Sequence, residues 1–257
     1  INEHGFVTDV NGPINTNSAT YVAWCWKAGG AAVSNTDGTI TSQVSVNKKA
    51  GFSIVTYTGD GTSGKTVGHG LDVTPVISIR KARDATLDWF VHHTLVDGSM
   101  DFLRLNTTAA NSNSSLSAFT STTLPVDDNT NQYVSYCWHD VPGYSKFGEY
   151  KGNGSADGPY VHLGFRPALL ITRRIDSGDH WIIRDSTRNT DNPVYSILNP
   201  NVNSSEFGSS GHVQNVDFLS NGFKITGSDS GHNGSTGTYV YMAFAEQPGV
   251  SPYNTII

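Results

Sequence analysis

The stretch YVAWCW at residues 21–26 returns as YVSYCW at 133–138 and as YVYMAF at 239–244. The copies stand about 110 residues apart each time, and self-similarity at a steady period marks a chain built from units of one architecture. Other segments keep their order between the copies. AGFSIVTYTGDGT (50–62), GHGLDVTPVISIRKAR (68–83) and LDWFVHH (87–93) are answered by PGYSKFGEYKGNGS (142–155), HLGFRPALLITRR (162–174) and DHWIIRD (179–185). MDFLRLNTTAANSNSS (100–115) corresponds to VYSILNPNVNSSEFG (194–208), and HGFVTDVNGPINTNSATYVAW (4–24) matches NGFKITGSDSGHNGSTGTYVYM (221–242). Residues 1–29 therefore read as the C-terminal part of a preceding unit. Residues 30–140 read as one repeat, and 141–257 as a second repeat with a tail. HDVPG (139–143) is the junction, and the opening at Ile1, partway through a unit, reads as a cut N-terminus.

Within each unit the apolar residues alternate in short runs such as SIVTYTG, VISIRKA, WFVHH and FLRLN, bounded by Gly, Asn or Pro. No segment of ten or more residues carries helical periodicity with caps. Charged residues make up only 15%, against about 25% in an ordinary domain, and 27 glycines fall among Ser, Thr and Asn, so the chain reads as short strands joined by polar turns. Six or seven short strands per unit of this length are the signature of an antiparallel β-sandwich. Pro75 and Pro167 stand just before matched strands, where proline removes no ladder hydrogen bond.

The recurring motif reads as the closing strand of each unit. Alternation puts Tyr21, Ala23 and Cys25 on one face and Val22, Trp24 and Trp26 on the other, both largely buried. Cys25 and Cys137 hold the same position in successive units while the third copy has Ala243, so a small buried thiol fits better than a nucleophile or metal ligand. The matched Trp89 and Trp181 read as core. His92 and His93 point to opposite faces of one strand and so do not chelate one ion together. The acidic pieces PVDDNTN (125–131) and DSGDH (176–180) lack the alternating pattern of a calcium loop and read as turns. GDGTSGKT (59–66) satisfies the bare phosphate-loop spacing, but glycine-rich β sequence follows it rather than a helix, so it reads as a turn. No catalytic residues, metal ligands or cofactor emerge.

The runs 21–71, 143–174 (GYSKFGEYKGNGSADGPYVHLGFRPALLITRR) and 239–249 (YVYMAFAEQPG) resemble a repeated domain of virion structural and tail-fibre proteins of tailed phages, especially phages of marine cyanobacteria. The resemblance implies an all-β fold of two tandem antiparallel β-sandwich units, jelly-roll or concanavalin-like, and a virion location. It carries over no catalytic residues. Other virion proteins, a host-surface glycan and further copies in a homo-oligomer are the expected partners. A net charge of −6 offers no footprint for nucleic acid, and the longest apolar run, PALLI at 167–171, is far short of the ~20 residues of a membrane helix, so no membrane insertion is expected.

Two readings of function follow. One is a tail-fibre or appendage module that contacts the host surface, holding glycan on its polar loops; the other is a capsid-decoration or fibre-spacer module with no ligand. An enzyme that depolymerises surface polysaccharide comes third. The units keep their strands and vary their loops, most of all at 106–132 and 199–238, so the candidate ligand-binding residues are Asn106, Asn111, Asn113, Asp229, His232 and Asn233. As exposed loops, 106–115 and 227–237 are expected to contribute little to the core.

Overall fold

The computed structural model describes residues 15–127, 129–211 and 213–245, and nearly all of its regular structure is β. The first unit holds β1 (Val33–Asn35), β2 (Ser42–Asn47), β3 (Phe52–Thr58), β4 (Thr66–Gly68), β5 (Ile77–Ala82), β6 (Phe90–His93), β7 (Asp101–Arg104), β8 (Ser112–Asn113), β9 (Thr123–Pro125) and β10 (Gln132–Trp138). The second holds β11 (Ser145–Lys151), β12 (Tyr160–His162), β13 (Pro167–Arg174), β14 (Trp181–Asp185), β15 (Val216–Leu219), β16 (Gly222–Ile225), the four-residue α1 (Ser230–Asn233) and β17 (Thr238–Ala245). Pro167 opens β13 at a break in register, the position where a missing N–H costs the ladder nothing.

The repeat is visible in the hydrogen bonding. In the first unit an eight-stranded sheet runs β1-β2-β3-β10-β5-β6-β7-β8, and in the second a four-stranded sheet runs β11-β17-β13-β14. The block β3-β10-β5-β6 thus has the same order as β11-β17-β13-β14, with the last strand of each unit inserted between two earlier ones. That explains the recurring motif. A strand paired on both sides and packed on both faces needs apolar residues at successive positions, not only at alternate ones. Every residue of β17 is buried, as are Tyr133, Ser135, Cys137 and Trp138 of β10.

Two faces mean two cores. Tyr133 and Cys137 join Val44, Val55, Tyr57, Val67, Leu124 and Val126 beneath the small β4-β9 sheet. Tyr239, Tyr241 and Ala243 join Leu170, Val216, Phe218 and Phe223 beneath the β12-β16-β15 sheet. The opposite faces of the two large sheets meet each other. Phe52, Ile77, Val91, Leu103 and Trp138 from the first unit pack with Phe147, Leu169, Trp181, Ile183, Val240, Met242 and Phe244 from the second. The described residues therefore form four sheets in a stack, two sandwiches back to back around a third core.

The first copy of the motif departs from its siblings. Tyr21–Trp26 forms no strand, because the places beside β10 and β17 are filled by each unit's own strands and no described strand flanks residues 21–26. Trp26 instead packs edge-on against Trp138 (6.0 Å between ring centroids) and Phe244 (5.4 Å), so the sixth residues of all three copies meet at one place. The opposite face of the segment has no sheet to cover it. Cys25 is exposed, which corrects the expectation of a buried thiol there, while Cys137 is fully buried and burial pushes its thiol up to about 12. Trp181 is core as expected, whereas Trp89, just before β6, is only half-buried.

Candidate functional site

The β4-β9 sheet has two strands against the eight of the sheet it covers, and the sheet residues in the core beneath it come mainly from β2, β3 and β10. The remainder, on β5, β6, β7 and β8, is left to a loop. A cleft of about 320 Å³ opens there between Arg80, Phe90, His92 and Phe102 of the sheet, Asn113–Leu116 and Asp127. Strand alternation brings the sheet residues together. Arg80 is opposite Phe90, and His92 is opposite Phe102, so all four project from one face while Val91 and Leu103 turn to the middle core.

The cleft combines charged groups with aromatic rings. Arg80 is 4% exposed, donates through Nη2 to Asp127 Oδ2, and lies 5.4 Å from the Tyr133 ring centroid. Burial opposes its charge, but Tyr57 and Asp127 more than offset that, and its pKa lies above the ordinary value. Beside Arg80 on the next strand, Phe90 stands 5.6 Å from Phe102, with the Arg104 guanidinium over both rings and held by Asp88 at 2.8 Å. His92, two residues along β6 from Phe90, lies 5.9 Å from Phe90 and 6.1 Å from Phe102, and neither of its ring nitrogens hydrogen-bonds to another described residue. Burial first, then the charges of Arg80 and His93, holds its pKa well below the ordinary histidine value. It is a neutral imidazole at pH 7, able both to donate and to accept.

Of the loop residues singled out in the sequence, only Asn113 lines this cleft. Asn106 locks a turn, accepting from the Trp89 amide (3.0 Å) and donating to Asp88 (2.9 Å). Asn111 Oδ1 accepts from His93 Nε2 at 3.1 Å, and the Asn111 backbone N–H donates to the Ile175 carbonyl of the second unit. The Thr108 carbonyl accepts from the Asp179 amide at 3.1 Å, and Arg173 Nη2 donates to the Ala109 carbonyl at 2.7 Å. Residues 106–111 are therefore a strap between the sandwiches rather than a free loop. Asp229 caps α1, accepting from the Gly231 amide at 2.7 Å and from Gln214 at 2.6 Å. His232 and Asn233 are fully buried, which corrects their assignment to the contact surface. The reason is α1, which folds residues 231–233 inward. The Asn233 amide then clamps Asn153, Ser155 and Gly227, and the His232 carbonyl accepts from the Tyr150 hydroxyl at 2.8 Å.

Sequence reasoning missed Arg80, His92, Phe102 and Asp127. The available signal was a basic or polar residue at a core-facing position of VISIRKA and WFVHH, together with an aspartate in PVDDNTN that turn chemistry accounted for only locally. In the second unit Val194, Val216 and Phe218 are part of the core beneath the β12-β16-β15 sheet. GDGTSGKT leads into β4, not a helix, in keeping with a turn. Among the described residues no group of three or more His, Cys, Asp or Glu is placed to hold a metal ion.

Residues 1–248 match the model of one protein family, and the chain belongs to it: Domain of unknown function (DUF7483). No curated protein and no solved structure matched.

Proposed function

We propose that this chain is a phage virion structural protein, a tail-fibre or appendage module that contacts the host surface and holds glycan in the open cleft of its first sandwich. The observation that carries the glycan reading is the uncovered part of the eight-stranded sheet. It offers half-buried phenyl rings beside a neutral imidazole, an asparagine, two serines and a carboxylate, all in one cleft. A pyranose ring has the complementary make-up, with apolar C–H faces to lie on an aromatic ring and hydroxyls that both donate and accept. The cleft volume is at the lower end for small-molecule sites and suits one or two sugar rings. The resemblance to tail-fibre repeats supports the virion location, other virion proteins as partners and assembly with further copies.

The test is a glycan array probed with the intact chain, followed by titration of any glycan retained against Phe102→Ala and Asn113→Ala. Loss of binding in both variants, with the thermal unfolding midpoint nearly unchanged for Asn113→Ala, is the expected result. A retained glycan that both variants bind undiminished would place the ligand elsewhere. Failure of the parent to retain any glycan would favour the spacer or capsid-decoration reading. One observation favours that second reading: most of the variable-loop candidates are used as straps and caps of the scaffold.

A further inference from the structure

A second and larger cleft, about 1020 Å³, lies where residues 27–30 cross the first sandwich beside the chain reversal at 141–144. Its walls are Lys27–Gly30, Val46–Ala50, and Val141, Pro142 and Tyr144, and it shares no residue with the cleft of the first sandwich. The walls are held in place by side chains. Ser45 Oγ donates to the Gly30 carbonyl at 2.6 Å, and Asn47 Nδ2 donates to the Lys27 carbonyl at 3.0 Å. Gly29 lies so close to β2 that a Cβ there would meet the Val46 carbonyl oxygen at 1.8 Å. Asn47 also accepts from the Ala50 amide at 3.2 Å, fixing the short turn that carries Lys48 and Lys49.

The chemistry of this cleft differs from that of the first. Its floor is apolar, from Ala28, Val46, Ala50, Val141 and the half-buried ring of Tyr144, and its rim carries Lys27, Lys48 and Lys49. Lys48 pairs with Asp72, while Lys27 and Lys49 have no carboxylate within ion-pair distance among the described residues. In a chain of net charge −6 this is a local reversal of sign, set over a surface able to receive the face of a sugar ring. We propose that this cleft binds a segment of acidic polysaccharide, with pyranose rings against Tyr144 and the apolar floor, and their carboxylate or sulfate groups against Lys27 and Lys49. The proposal is independent of the glycan reading of the first cleft.

The experiment titrates the intact chain with an oligogalacturonate, a sulfated oligosaccharide of similar length, a neutral maltooligosaccharide and single-stranded DNA. Binding of at least one acidic sugar is expected, weakening as ionic strength rises, with neither the neutral sugar nor DNA bound comparably. Which acidic sugar binds tells carboxylate from sulfate. The double variant Lys27→Gln, Lys49→Gln should weaken that binding about tenfold. Tyr144→Ala should weaken it separately. Both lysines are exposed, so a thermal melt of the double variant should match the parent and separate lost binding from lost fold. Undiminished binding in the double variant, equal binding of the neutral sugar, or equal binding of DNA would each overturn the proposal.

Discussion

Trp138→Ala tests whether the middle core joins the two sandwiches into one cooperative body. Trp138 is 4% exposed, stacks on Phe52 at 5.0 Å and meets Trp26 edge-on at 6.0 Å, in the core that also holds Phe147, Val240, Met242 and Phe244. Truncating a buried Phe or Trp costs about 3–5 kcal/mol. Its indole nitrogen has no hydrogen-bond partner, so no polar bond is lost with the ring. We therefore take the middle of that range, about 4 kcal/mol, a factor of roughly 10³ in the unfolding equilibrium. For a chain of this size that corresponds to a fall of roughly 8–16 °C in the midpoint. The discriminating assay is amide hydrogen exchange resolved by strand. If the middle core couples the sandwiches, exchange should accelerate in β13 and β17 of the second unit as well as in β5 and β10 of the first. Acceleration confined to the first unit, at an unchanged rate in β17, would refute the coupling, since β17 presents Val240, Met242 and Phe244 to that core.

Asp127→Asn should destabilise the fold by about 2 kcal/mol, less than the loss for a fully buried pair because Asp127 is partly exposed, by leaving the buried Arg80 charge without its carboxylate; chemical denaturation checks it. His69, His92 and His93 all titrate below the ordinary histidine value in the folded chain, chiefly through burial. The unfolded chain thus binds more protons as pH falls through about 6.5, so stability should be level above that point and decline below it toward the folded values. Urea midpoints across this range should fall less steeply in His92→Asn than in the parent, and equal slopes would count against the assignment. Iodoacetamide should label Cys25 in the native protein and Cys137 only after denaturation, with no requirement for reductant; mass spectrometry of the two peptides reads both.

Much of the framework was legible because it follows from local patterns. The apolar alternation of SIVTYTG and VISIRKA marks β3 and β5, and the ordered recurrence of motifs anticipates the common block β3-β10-β5-β6 and β11-β17-β13-β14. The doubly apolar closing motif correctly signals burial on two faces, but only where strands exist to flank it, a condition the sequence of Tyr21–Trp26 cannot express by itself. VYSILNPNVNSSEFG matched the β7 region in composition, yet between 194 and 208 it makes only isolated bridges. The cleft was hidden for a different reason. It arises from a mismatch in width between an eight-stranded sheet and a two-stranded cover, which depends on long-range pairing. Asn111, His232 and Asn233 looked like ligand groups because asparagine and histidine in Gly-rich segments serve turns, caps and binding alike. Their partners, Ile175, Tyr150 and Ser155, are distant in sequence.

The central position of each unit's last strand has a consequence for how the chain is made. β3 and β5 have no ladder to each other; both pair with β10, which follows the end of β3 by roughly 80 residues. At about 5–20 residues per second a ribosome needs about 4–16 s to supply that strand, and until then two β-prone segments carry open hydrogen-bonding edges. The second unit repeats the delay with β11, β13 and β17. Such late, long-range closure makes for slow folding, and the nascent chain is most exposed to mispairing in the seconds before each closing strand emerges.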